Sequence, residues 1–171
     1  MPAAASITLR PARTQDVPAV RELVRPLAER RVLLQKEAVA FYEAIQEFVV
    51  AEDADGRLAG FGALHVMWED LAEVRTLAVA DGFQGCGVGH LLLEELLDRA
   101  RRVGVSRVFC LTFEVDFFRR HGFEVMADQS AVDPEVYAEL LRSTDEGVAE
   151  FLDLARVKPN TLGNIRMIRA L

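Results

Sequence analysis

Apolar positions along this chain follow two periods, three-to-four and two, and their order predicts interleaved helices and strands. Ile7–Arg10 reads as a first strand. Val17, Val20, Leu23 and Val24 then recur at helical spacing behind a Thr14 or Asp16 cap, with Pro26 expected to end or bend that helix. After a linker over Arg30–Leu34, a second helix is expected over about Lys36–Gln46, with Ala38, Phe41, Ala44 and Ile45 inward. Phe48–Ala51 reads as a strand closed by the Asp55-Gly56 turn, Leu58–Trp68 as its return, and Ala72–Val79 as a third strand after Glu69-Asp70. A long helix over about Gly87–Val103 carries Val88, Leu92, Leu96 and Ala100 on one face, Leu93 and Leu97 beside them, and Gly104 placed to stop it. Arg107–Phe113 is a mostly apolar strand, Asp116–His121 a short helix, and Asn164–Leu171 a last strand. Before it, Asp133-Pro134 starts one helix, and Ser143-Thr144-Asp145-Glu146 reads as a capping box opening another.

The long helix is preceded by glycines at 85, 87 and 89. Such a loop turns bare N–H groups toward one point, and the helix adds its own unpaired amides and the positive end of its dipole. The result is a seat for an anion, with phosphate the natural fit. A Walker A loop would end in Gly-Lys-Ser/Thr, whereas Gly89 is followed by His90 and Leu91, which argues against a nucleoside triphosphate. A Rossmann fingerprint needs G-x-G-x-x-G in a first βαβ unit; the spacing here is G-x-G-x-G, behind several strands.

Bulk properties narrow the field. A length of 171 residues suits one domain, 51% of them are hydrophobic, and the formal net charge of −7 leaves no basic stripe for nucleic acid. No apolar run reaches membrane-spanning length, and Met1-Pro2-Ala3-Ala4-Ala5 lacks the charged leader and apolar core of a signal peptide. Two cysteines, Cys86 and Cys110, make no disulfide framework, and the scattered His65, His90 and His121 suggest no metal centre. A reduced, cytoplasmic setting is the expectation.

The ordered blocks resemble the GNAT family of acyl-CoA-dependent N-acetyltransferases. Gln84-x-x-Gly87-x-Gly89 is similar to its pyrophosphate loop, Leu77-Ala78-Val79 to the strand that pairs with the pantetheine arm, and Phe117–Phe123 to its aromatic-pair and Gly-Phe block. A narrower resemblance is to N-acetylglutamate synthases, on Ala72–Val79, Arg25-Pro26-Leu27 with Val32–Lys36, and Val108–Thr112. The tail, Phe151–Leu154 then Val157–Asn164, resembles the short single-domain actinobacterial form. The resemblance implies an α/β (α+β) GNAT fold, with a mixed, mostly antiparallel sheet flanked by helices. It implies one acetyltransferase domain with a helical insertion at about 131–155. The long synthases carry an amino-acid-kinase-like domain, absent from these residues, so arginine feedback by that route is not expected.

The same resemblance implies acetyl-CoA as co-substrate, no metal, and transfer to the α-amino group of L-glutamate in a ternary complex. Cofactor contacts would fall on Leu77, Ala78, Val79, Gln84, Gly85, Cys86, Gly87, Val88, Gly89, His90 and Phe117. Glu73 would be the general base. Period two also puts it on one face with Arg75, so that mutual pairing or a solvated sheet face is the plain structural alternative. Thr112 would protonate the leaving sulfur, or no side chain would, because Phe118 stands where many relatives have tyrosine and cannot donate a proton. Lys36, Arg75 and Lys158 would meet substrate carboxylates. Two other outcomes stay open: a GNAT enzyme for another amine (glutamine, another amino acid, a polyamine, a protein N-terminus), and a weakly catalytic acetyl-CoA-binding regulatory module. A homodimer is one assembly the fold allows.

Overall fold

Two long strands, β3 (Leu58–Trp68) and β4 (Leu71–Val79), form the spine of the molecule. The computed structural model describes residues 6–33, 35–126, 132–152 and 164–171. Before the spine come β1 (Thr8–Pro11), α1 (Val17–Glu29), α2 (Ala38–Glu43) and β2 (Phe48–Glu52). After it come α3 (Val88–Val103), β5 (Arg107–Thr112), α4 (Val115–Arg120), β6 (Glu124–Val125), α5 (Pro134–Leu140), α6 (Glu146–Phe151) and β7 (Ile165–Ala170). The strands make one seven-stranded sheet in the order β1-β2-β3-β4-β5-β7-β6. The β4–β5 pairing is parallel; the other pairings are antiparallel.

Alternation along the strands assigns each face its helices. Val49, Ala51, Leu64, Ala72, Val74 and Val108 pack under α3, whose Leu92, Leu93, Leu96 and Leu97 are fully buried. Each such leucine contributes roughly 1.5–3 kcal/mol by leaving water. The opposite residues serve the other face. Phe48, Val50 and Phe61 meet α1 and α2 through Val20, Val24 and Phe41, while Leu71 and Phe109 meet α5 and α6 through Leu140 and Phe151. Glu73 and Arg75 lie on this second face, between its two helical pairs.

Strand β4 is irregular along both of its edges. Its register against β3 runs Phe61↔Ala78, then Ala63↔Arg75, so Thr76 and Leu77 oppose Gly62 in a bulge. Thr76 takes φ 55°, a left-handed conformation that costs a non-glycine residue about 1–3 kcal/mol. A Cβ on Gly60 beside the bulge would come within 2.7 Å of the Ala78 carbonyl oxygen, so the close backbone approach there calls for glycine, whereas one on Gly62 would meet only the terminal methyls of Leu77 and Leu96 at 2.9 Å. On its other edge β4 pairs with β5 only from Leu71↔Arg107 to Glu73↔Phe109, after which the strands splay.

Several sequence expectations need correction. Pro26 does not end the first helix, which runs on to Glu29; its ring removes one amide, but its carbonyl still accepts from Arg30 N at 3.2 Å. The second helix is shorter than expected, because the chain tightens into a 3-10 turn over Ile45–Glu47. The cap of α6 is Asp145, whose carboxylate accepts from Val148 N at 3.1 Å, rather than Ser143. Strand β6 is too short for its period to register in sequence. The expected insertion at 131–155 holds α5 and α6, with 131 and 153–155 outside the described residues.

Candidate functional site

The splay between β4 and β5 opens into a cleft of about 1150 Å³ that runs from the glycine loop to the helical insertion. Among the described residues its rim on β4, residues 74–79, has no partner strand on that side, so main-chain donors and acceptors there face the cleft.

At one end lies the loop. Gly85 and Gly87 take φ 74° and 82°, values open to glycine at little cost, and Gly87 caps α3 without a side-chain hydrogen bond. Leu91 N is the first amide of α3 to find a helical acceptor, Gly87 O at 3.1 Å. The amides of Gly87, Val88, Gly89 and His90 make no hydrogen bond among the described residues. These are the amides that the sequence points to as an anion seat, and among the described residues they are left open. The loop side chains divide their work. Val88 is buried in the core and contributes only its amide; Gln84 bonds Asp81 Oδ1 at 3.2 Å; Cys86 is exposed. Phe117 on α4 closes over Gly89, where an added Cβ would rest 3.5 Å from its ring. Its neighbour Phe118 is buried, edge-on to Phe117 and Phe123.

At the other end is a charged network. Arg75 Nη2 and Nε lie 2.6 and 3.0 Å from Glu73 Oε2, and Nη1 and Nη2 lie 3.0 and 2.8 Å from the two Asp145 oxygens. The mutual pairing of Glu73 and Arg75 is therefore real, and Asp145 completes it. Asp145 Oδ2 is also 3.8 Å from His65 Nε2, and His65 Nδ1 contacts Glu47 Oε1 at 2.7 Å. Burial works to raise the Asp145 carboxyl, but the hydrogen bonds and charge of Arg75, with His65 and Val148 N behind them, hold it down at about 2. Burial also acts to lower Arg75, yet Glu73 and Asp145 outweigh it and leave the guanidinium above its ordinary value. Oε1 of Glu73 makes no hydrogen bond among the described residues, so one carboxylate oxygen stays available. Gly147 packs directly on this pair; a Cβ there would overlap the Glu73 carboxylate and the Arg75 guanidinium.

Lys36 enters the cleft from just before α2. Burial and the nearby Arg75 charge lower its pKa from the usual lysine value, while Glu73, Asp145 and Glu47 pull it back up. It forms no hydrogen bond or ion pair among the described residues, in contrast to Arg75. Thr112 ends β5 inside the cleft, buried, with its hydroxyl oxygen accepting from Glu114 N at 2.7 Å and its own proton free to donate. Lys158 lies outside the described residues. Burial, reinforced by the Glu73 charge, pushes the Cys110 thiol well above its usual value and makes it an inert core residue.

Sequence reading thus located both ends of the cleft but missed Asp145, Glu47, His65 and Gly147. Asp145 reads locally as a cap, and its contact with Arg75 spans 70 residues, so no local pattern announces it. The histidines are also less scattered than expected, because His90 and His121 meet at 2.8 Å.

Known proteins agree with this geometry. The chain is 52% identical over 165 residues to an amino-acid acetyltransferase of Mycobacterium tuberculosis, covering 95% of this chain and 94% of that one. A Mycobacterium tuberculosis crystal structure in complex with CoA and NLQ superposes with TM-score 0.90 at 52% identity, over 96% of this chain and 99% of the other. An N-acetylglutamate synthase of Neisseria gonorrhoeae, complexed with coenzyme A and N-acetyl-glutamate, superposes with TM-score 0.78 at 28% identity, covering 98% of this chain but 35% of its own. Among the described residues no helix is long and apolar enough to cross a membrane. Residues 18–123 match the Acetyltransferase (GNAT) family, and the chain belongs to it.

Proposed function

We propose that the protein transfers the acetyl group of acetyl-CoA to the α-amino group of L-glutamate, by direct attack in a ternary complex. The observation that carries this reading is the continuity of one cleft: unpaired amides for a diphosphate at one end, an unpaired lysine beside a buried glutamate at the other. The amino-acid acetyltransferase and synthase relatives support the same acceptor class.

In this reading the amides of residues 87–90 hold the cofactor diphosphate. The pantetheine arm lies along the open edge of β4 as a missing strand. The thioester carbonyl then sits near Leu77–Val79, where a backbone donor aimed at the developing oxyanion is worth about 3 kcal/mol. Lys36 binds a substrate carboxylate as a point charge rather than a fork. Arg75 is neutralised by Glu73 and Asp145, so its role is to orient Glu73 more than to grip substrate. Glu73 takes a proton from the substrate ammonium, through water, at Oε1. The amine nitrogen attacks the carbonyl carbon, the tetrahedral adduct collapses, the C–S bond breaks, and sulfur leaves with the electron pair. The adduct's nitrogen gives up its second proton, which Thr112 relays to the sulfur by accepting one proton as it donates its own. Otherwise the thiolate leaves unaided and that proton passes to water, since a thiol pKa of about 8.5 makes it a workable leaving group near neutrality.

A second acceptor is favoured by one observation. The network carries three carboxylates, Glu47, Glu73 and Asp145, against Lys36 and Arg75. Such a pocket tolerates an acceptor with a neutral side chain, so glutamine is the rival. Free CoA release measured across glutamate, glutamine, other amino acids and polyamines decides between them. Glutamate is expected to give the highest kcat/KM. A higher value for glutamine reassigns the acceptor, and tight acetyl-CoA binding with no transfer to any amine leaves a regulatory module.

A further inference from the structure

Outside the cleft, two histidines distant in sequence share one hollow with an acid. His90, in the first turn of α3, places Nδ1 2.8 Å from Nε2 of His121, just past α4. His121 Nδ1 lies 2.8 Å from the Phe117 carbonyl, which can only accept, so Nδ1 carries the proton and Nε2 presents its lone pair. Glu94 stands one turn after His90 on α3, and one ligand atom from each of the three lies within 4.8 Å of the others. Glu94 has no hydrogen bond or ion pair among the described residues.

We propose that His90, Glu94 and His121 bind one divalent transition-metal ion of the zinc class, with water as the fourth ligand. Two imidazoles and a carboxylate are the donor set such an ion prefers over magnesium or calcium. The Phe117 carbonyl behind His121 supplies the outer hydrogen bond that commonly fixes a metal-binding imidazole. Bonds of about 2.0–2.1 Å put tetrahedral ligand atoms roughly 3.3 Å apart, so the histidine pair opens by about 0.5 Å while Glu94 swings inward. Arg120 and Arg169 line the same hollow, and Arg169 donates to His121 O at 2.6 Å. Their charges oppose a cation and make the ion exchangeable rather than permanent. Because the His90 amide belongs to the anion seat, an ion here adds positive charge beside the cofactor phosphates. Its effect falls on cofactor retention and is independent of which amine accepts the acetyl group.

The test uses the full chain without a polyhistidine tag, titrated with Co2+ alone and followed by visible absorption. One equivalent is expected to give saturable d–d bands of a nitrogen/oxygen site, released one-for-one by Zn2+. Thiolate charge-transfer absorption in the near ultraviolet would instead place the ion on Cys86 and overturn the proposal. Glu94→Gln, on the helix surface, and His121→Asn, which keeps a donor for the Phe117 carbonyl, are each expected to weaken binding at least tenfold. Absence of a saturable band, or unchanged affinity in both variants, means that the histidine contact is only a pin between α3 and α4.

Discussion

The two ends of the cleft are built on opposite plans. In the proposed reading the anion seat comes from one continuous stretch, residues 77–90, and works through main-chain amides whose placement depends on left-handed glycines. The charged end, the acceptor side in that reading, draws Lys36, Glu47, His65, Glu73, Arg75, Asp145 and Gly147 from separate segments of the chain and is built of side-chain charge. A backbone site of the first kind tolerates side-chain change and fails when dihedral angles change. A charge network of the second kind is indifferent to backbone detail and fails when one partner is lost, because its neighbours are then left buried and unpaired. In that reading cofactor binding rests on local geometry, and the choice of acceptor on long-range packing.

Substitutions that damage one end and spare the other sharpen this contrast. The largest effect is expected for Glu73→Gln, a drop in turnover on the order of 10²-fold with acetyl-CoA affinity unchanged. Near-normal turnover would remove Glu73 from catalysis and leave it a partner of Arg75. Lys36→Ala is expected to raise the glutamate KM about tenfold or more, the worth of a charge-assisted hydrogen bond, while the acetyl-CoA KM stays near its original value. Equal rises in both constants would break the division. At the loop, Gly87→Val forces a branched side chain into a left-handed conformation. A strain of about 1–2 kcal/mol should appear as a roughly five- to thirtyfold rise in the acetyl-CoA KM, with glutamate binding unaffected.

The smallest effect concerns acid stability. Asp145 has a folded pKa of about 2, below its usual 3.8. Its stabilising contribution is therefore complete above about pH 4 and is lost as pH falls toward 2. Asp145→Asn should lower stability by on the order of 1–2 kcal/mol at neutral pH, discounted for partial exposure, with the deficit shrinking across that acid window. Denaturant melts at pH 7, 4 and 2.5 measure this; a deficit independent of pH would assign the loss to the α6 cap instead.

Legibility in the sequence follows the same division. The apolar run and flanking turns of β3 delimit it at Leu58–Trp68, as in the fold, and glycine spacing with the 3.6 period marks the loop and its helix. These features are decided by neighbours in the chain. Of the two outcomes expected at Pro26, an end to the helix does not occur, because packing of Val20 and Val24 against the sheet outweighs one missing helical hydrogen bond. Period two places Glu73 and Arg75 on one face but does not reveal all their partners, since Asp145 reaches them through the fold of the insertion. The His90–His121 contact is likewise invisible in sequence, because it depends on how α4 crosses the start of α3.

The short parallel seam between β4 and β5, ending at Glu73↔Phe109, has a further consequence. Among the described residues the sheet is an unfinished ladder, and an elongated amide-bearing ligand seated there, as proposed, would supply the absent rungs. Occupancy should then slow hydrogen exchange along residues 74–79 and raise the melting temperature with ligand concentration, as for any ligand that binds only the native state. Cofactor capture and completion of the architecture would then be a single event, so a cell rich in this thioester would also hold the enzyme in its most durable form.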